Sequence, residues 1–304
     1  MISLQGDINI ERLCSRAGVS RSGYYRFLQY KEPDAEEMEL RDRIQKLFTV
    51  HKRRYGYRRI TAQLRIDGMA VNHKRVARLM RDDNLLAVQP KLFMRTTDSS
   101  HGFEVALNLA GRMTLTGVNQ LWVADITYIR LYREFVFLAV VLDAYSRKVV
   151  GWSLGRTLEA SLAIGALKQA ITQRQPAPGL VHHSDRGVQY ACGGYAEVLK
   201  ENRITPSMSR PGNPYDNAGC ESFMRTLKRE EIHANCYRDI EDLRENLAEF
   251  IAEYYNKCRL HSALAYRSPD AFEQTAKTPS QDAATIRYFK PRKDAESRTN
   301  GEAA

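Results

Sequence analysis

Apolar residues recur at helical spacing up to about residue 92 and as continuous runs beyond residue 120, so a helical part precedes a part that contains strands. Residues Ile10 to Leu28 read as a short helix, a turn centred on Gly18 and a second helix with Ser20 as its N-cap, part of a helix-turn-helix. Leu40, Ile44, Leu47 and Phe48 predict a helix within 36–53, which Tyr55-Gly56-Tyr57 interrupts. Two shorter helices, around Ile60/Leu64 and Val76/Leu79/Met80, are separated by Gly68, and the second is begun by Asn72. Together they predict a compact trihelical unit, although an ordinary bundle with a solvated basic face would carry the same pattern.

Residues 95–120 lack periodic apolar positions and read as a linker. Apolar runs at 121–130, 135–142 and 149–154, with a turn at 143–147, predict three consecutive antiparallel strands. A helix at 158–174, a strand ending at Asp185, a helix near 188–202 and a short strand at 203–208 follow. A Pro- and Gly-rich loop, 209–217, precedes a helix carrying Glu221, Phe223 and Leu227, and a last helix is predicted at 240–257. The expected division is 1–30 partial helix-turn-helix, 36–92 basic trihelical domain, 93–118 linker, 119–275 α/β domain with C-terminal helices, and 276–304 polar tail. The tail beyond Lys290 reads as disordered.

Charge narrows the partner. The 304 residues carry a net charge of +10. Between Lys46 and Arg81 there are eleven basic residues, Arg53, Arg54, Arg58, Arg59, Lys74, Arg75 and Arg78 among them, against the single acid Asp67. That is a footprint for a polyanion, with nucleic acid favoured. A membrane is the weaker reading, since no apolar run reaches the ~18 residues of a span and nothing resembles a signal peptide; a soluble, cytoplasmic protein is expected. Five cysteines without a Cys-x-x-Cys pair, and histidines not spaced with them, predict reduced thiols and no structural zinc.

Three acids stand out. Asp125 interrupts the apolar run Leu121 to Ile129, and aspartate within a strand needs a compensating partner such as Mg²⁺. Asp185 sits where a strand gives way to a polar turn, and Glu221, with thirty-five residues between, stands at the start of a helix. Carboxylates gathered from two strands and a helix are what a metal-dependent phosphoryl-transfer site requires, although caps and surface salt bridges would also use them. Asp143 reads as a turn residue and Asp216 as a loop residue or helix cap. Glu221, Arg225 and Lys228 share a helical face, which is either salt-bridged to solvent or, through Lys228, in contact with DNA phosphate. His183, two residues before Asp185, reads equally as a packed or a functional histidine.

The ordered motifs Gly18-Val-Ser-Arg-Ser-Gly-Tyr-Tyr25, Tyr55-Gly-Tyr-Arg-Arg-Ile60, Trp122-Val-Ala-Asp125-Ile-Thr-Tyr128, His183-Ser-Asp-Arg-Gly-Val-Gln-Tyr190, Ser209 to Ala218, Glu221-Ser-Phe, Leu227-Lys228, Tyr255-Asn256 and His261-Ser-Ala-Leu264 resemble the OrfB-type transposases of two-frame bacterial insertion sequences. The resemblance covers nearly the whole chain. It departs at Val118, often proline in that family, and at Gly219-Cys220, where small apolar residues are usual. It implies a ribonuclease H-like integrase core of the DDE class with a mixed sheet, preceded by a helix-turn-helix-like region. It further implies that Asp125, Asp185 and Glu221 hold two Mg²⁺ or Mn²⁺ ions, with Lys228 beside the scissile phosphate. The implied partners are double-stranded DNA at element ends and target, further copies of the chain on that DNA, and an upstream-frame product, separate or fused by frameshifting. Two other readings remain: a DNA-binding regulator with structural acids, and a ribonuclease H-type nuclease that nicks without joining.

Overall fold

The structure, a computed structural model, describes residues 10–28, 34–85, 87, 106–210, 217–277 and 286–287. The chain divides between Leu86 and Ala87 into two compact units. Among its described residues the first contains five helices: α1 (Ile10–Ala17), α2 (Arg21–Leu28), α3 (Ala35–Val50), α4 (Tyr57–Ile66) and α5 (His73–Asp82). Side-chain caps explain where they begin: the Gly23 amide donates to Ser20 Oγ, that of Glu36 to Asp34 Oδ1 and that of Lys74 to Asn72. Leu40, Ile44 and Phe48 of α3 are buried, as are Ile60 and Leu64 of α4 and Val76, Leu79 and Met80 of α5. The turn between α3 and α4 puts Lys52 and Arg53 in the left-handed region, with φ of 49° and 60°. Behind it the buried Tyr55 ring stacks on His51 at 3.8 Å.

The second unit is built on a five-stranded mixed sheet of order β4-β3-β2-β5-β6. Strands β2 (Leu121–Arg130), β3 (Phe135–Asp143) and β4 (Val149–Gly155) form the antiparallel meander, while β5 (Val181–Ser184) and β6 (Thr205–Met208) run parallel to β2. Strand alternation sends Leu121, Val123 and Ile129 into one core and Trp122 and Ala124 into the other. The first core is closed by α9 (Ala218–Leu227) and α10 (Ile240–Glu249), the second by α6 (Ala160–Arg174) and α8 (Gly193–Glu201). Helix α6 lies so close to β4 that a Cβ at Gly151 would collide with the Ala166 carbonyl oxygen.

Several expectations need correction. The helix expected near 188–202 is two, α7 (Val188–Ala191) and α8, because Cys192 is extended between them. The helix expected at 240–257 holds α-geometry only to Glu249 and continues as a π-helix, Phe250–Asn256. It is also not the last: α11 (Pro269–Lys277) buries Phe272 and pairs Glu273 with Arg174 at 2.6 and 2.8 Å. Strand β1 (Thr114–Leu115), in the expected linker, pairs with β7 (Ile286–Arg287), in the expected tail. Two-residue strands carry too little periodicity to register in a sequence pattern.

Candidate active site

Sheet register brings two of the acids together. β5 pairs with β2 at a constant offset of sixty residues, Leu121 with Val181 through Val123 with His183; Asp185, just past the end of β5, keeps that offset from Asp125, and its charge acts on the Asp125 carboxyl. Glu221 arrives from the other direction. Two side chains in the first turn of α9 hold the helix on the backbone of β2: Asn217 Nδ2 donates to the Ala124 carbonyl at 2.9 Å, and Cys220 Sγ to that of Val123 at 3.3 Å. Asp125 falls in the alternation that faces α9, the same side as Leu121, Val123 and Ile129.

The acids perturb one another. The Asp125 carboxyl is enclosed although its side chain keeps some surface, and burial followed by the charge of Asp185 raises its pKa to about 8, with Glu221 adding to the rise. One oxygen of each aspartate is fixed by a main-chain amide, Asp125 by Ile126 and Asp185 by Gly187, both at 2.9 Å. Among the described residues no group of three or more His, Cys, Asp or Glu side chains is already drawn together closely enough to hold a metal ion. An all-carboxylate, open donor set suits a hard divalent cation that keeps water or substrate oxygens in its shell.

Lys228 is buried, 7% exposed, and begins a π-turn, Lys228–Ile232, that follows α9 directly. It is thus not on a solvated face, although Arg225, three residues before it, is exposed. Its ammonium stands 4.7 Å from the Tyr128 ring centroid, and burial lowers its pKa to about 8 against the pull of Asp125. His183 is fully buried between Ser207 Oγ at 2.8 Å and Ser209 Oγ at 3.0 Å, the packed reading. Asp143 accepts from the amides of Asn119, Tyr145 and Ser146 and holds its turn. Asp216 lies outside the described residues.

Two neighbours escaped the sequence reading. The buried Tyr190 hydroxyl has no hydrogen-bond partner among the described residues, and its pKa is pushed up by burial, by Tyr195 and then by Asp185 and Asp125. Asn217, which docks α9, lay in a loop read only for its turn residues. Both sit inside quoted motifs, but a hydroxyl or an amide gives no periodic signal of its role.

The Integrase core domain family matches residues 116–214 and again 202–269, and the HTH-like domain family matches residues 35–93. Transposase InsF for insertion sequence IS3A of Escherichia coli (strain K12) is 36% identical over 274 residues, 88% of this chain and 95% of that protein. The chain belongs to the transposases of IS3-type insertion sequences. The transposase for insertion sequence element IS904 of Lactococcus lactis is also 36% identical, over 81% of this chain and 98% of that protein. Among solved structures, the HTLV-2 integrase catalytic core domain in complex with magnesium is similar over 52% of this chain and 97% of that chain, at 15% identity and a TM-score of 0.41. The transposase is therefore a polynucleotidyl transferase, with an integrase core behind an HTH-like region and DNA as its partner. Among the described residues no helix is long and apolar enough to cross a membrane.

The basic segment of the transposase is less uniform than its charge count. Arg75 reaches Glu36 at 2.8 Å and Asp34 at 3.7 Å, Arg78 reaches Glu37 at 2.8 Å, and Arg41 pairs with Glu37 and Asp83. Acids outside the counted window thus fold over the face of α5. Arg54 is buried, and Arg59 lies against the Tyr55 ring at 5.7 Å. Arg53, Arg58 and Lys74 are exposed. Neutralising those three is expected to weaken DNA binding and flatten the slope of log K against log salt by about 0.9 per lost phosphate contact. Neutralising Arg75 and Arg78 is expected to leave the slope nearly unchanged. Equal slopes for both sets, measured by salt titration, would reject this division.

Proposed function

We propose that this transposase cuts DNA at the ends of its insertion sequence and joins them to a target at one site, where Asp125, Asp185 and Glu221 hold two divalent cations, Mg²⁺ or Mn²⁺. The observation that carries the reading is that the charges of Asp185, past the end of β5, and of Glu221, on α9, both act on the Asp125 carboxyl of β2, adding to the burial that raises its pKa to about 8. Such cations, when bound, activate water or a 3′-hydroxyl and stabilise the leaving oxygen of an in-line displacement. The protein's part is positional. The amides of Ile126 and Gly187 each fix one carboxylate oxygen, while Asn217 and Cys220 lock the turn that presents Glu221. No side chain need become covalently attached to DNA. Two element ends must be held together for joining, a task suited to a homo-oligomer on DNA, with an upstream-frame product, separate or fused by frameshifting, as a further partner; the working compartment is the bacterial cytoplasm.

The test is an element-end oligonucleotide incubated with Mg²⁺ and a target duplex. Cleavage followed by joining is expected, with Ca²⁺ supporting binding better than chemistry. Nicking without joining would favour the nuclease reading instead. Lys228 adds a second expectation. Its folded pKa, about 8, lies below the unfolded value of about 10.4, so the fold disfavours the ammonium. Lys228→Met is expected to raise the melting temperature below pH 8, with the gain fading as pH climbs toward 10.4, and to cost on the order of a hundredfold in joining through misplaced substrate. A variant that joins normally would leave Lys228 without a role in the reaction.

A further inference from the structure

Beyond Val123 the pairing with β5 ends, and β2 runs on past Asp125 into the β2–β3 hairpin. This extension is lined by aromatic and cationic side chains in alternation. Lys228 sits over the Tyr128 ring at 4.7 Å; Tyr128 meets Phe135 edge-on, with centroids 6.0 Å apart at 64°; and the Arg130 guanidinium lies over Phe135 at 5.6 Å. Tyr128 and Arg130 are two apart on β2, and Arg130 is directly opposite Phe135 on β3, so these side chains share one face of the hairpin. The outer end is open: Phe135 is 52% exposed and Tyr132, at the tip, 89%, with Arg133 exposed beside it.

We propose that this hairpin face is a stacking platform for unpaired nucleotides of the DNA strand whose phosphate lies at Asp125. The proposal rests on the active-site reading above and adds the state of the DNA there. Tyr128 is three residues from Asp125, about 10 Å along the strand and on its opposite face, and the Lys228 ammonium, which sits at the Tyr128 ring and feels the charge of Asp125, links the two faces past the end of the β2–β5 pairing. Aromatic rings presented at a surface can stack only on bases whose faces are free. A duplex already uses those faces on itself, so the platform selects a strand end that has been opened. Arginines beside the rings match the phosphates between such bases, and the combination of ring and cation tolerates any base. Opening the end also frees the scissile phosphate to approach the carboxylates, a cost that stacking offsets.

The test uses the full chain without divalent metal, a blunt duplex, and the same duplex with a short unpaired arm carrying 2-aminopurine. Quenching of the arm's fluorescence on binding is expected, with tighter binding of the armed duplex than of the blunt one. Phe135→Ala should abolish the quenching and weaken the armed duplex by about tenfold while leaving blunt-duplex affinity unchanged. Phe135→Trp should restore both. Arg130→Ala should weaken the armed duplex alone, and because Arg130 is exposed it serves as the variant least able to disturb folding. Absence of quenching with the parent protein, equal losses on both duplexes, or a change of oligomeric mass in Phe135→Ala without DNA would each overturn the platform. Failure of the carboxylate reading would appear differently, as cleavage that survives loss of Asp125 while quenching is intact.

Discussion

Separate replacement of Asp125, Asp185 or Glu221 by alanine is expected to lower end cleavage and joining together by a thousandfold or more, on the order of what removal of one charge-stabilising group at a transition state costs. DNA binding should persist, because none of the three contributes to the exposed basic surface of Arg53, Arg58 and Lys74. Asp125 allows a second, independent reading of the same cluster. Its folded pKa of about 8 stands above the unfolded value of about 3.9, so the stability it lends is complete below about pH 4 and is lost as pH rises through 8. Asp125→Asn should therefore melt at a higher temperature than the parent at neutral and alkaline pH without divalent ions, and the advantage should vanish near pH 4. Added Mg²⁺ should stabilise the parent and not the variant. Joining at the parent rate by any of the alanine variants would sink the assignment, as would a pH-independent stability difference for the asparagine.

The strands were legible because their signal is strong and local. The apolar residues of Leu121 to Arg130 alternate between two cores, and the strand's observed limits are those read from the sequence. The acids were legible for a related reason: Asp125 is conspicuous only because its neighbours are apolar. Side chains whose meaning depends on distant partners were not legible. Arg75 and Arg78 were counted among the bases of the segment, and the fold sets Asp34, Glu36 and Glu37 against them from outside the stretch whose charge was counted. Lys228 was assigned with Glu221 and Arg225 to one helical face, and the fold buries it against the Tyr128 ring, a partner a hundred residues away. The π-turn that starts at Lys228 contains no unusual residue, so the sequence carries no mark of it.

That π-turn has an anchor of its own, and removing it is expected to produce the largest loss of stability in the α/β unit. Glu230 is fully buried two residues beyond Lys228, and its carboxylate accepts from Arg259 Nε at 2.8 Å and Nη2 at 2.7 Å, with Arg229 Nη2 at 2.6 Å. Arg259 is itself 3% exposed and lies over the Tyr255 ring, tying the end of the C-terminal π-helix to the turn after α9. Arg259→Ala removes two charged donors from the buried carboxylate, a change that costs about 3–5 kcal/mol when a buried pair loses one member. Both tryptophans, Trp122 and Trp152, belong to this unit, so their fluorescence follows its unfolding. The expected drop in melting temperature is about 10 °C. Replacing both partners, Arg259→Met with Glu230→Leu, should recover much of it, because no charge is then left buried without its counterpart. Joining should return less completely than stability in the double variant, since the bidentate pair also fixes the register of the turn that carries Lys228. A melting temperature within a degree or two of the parent for Arg259→Ala would show that the turn holds its shape without the pair.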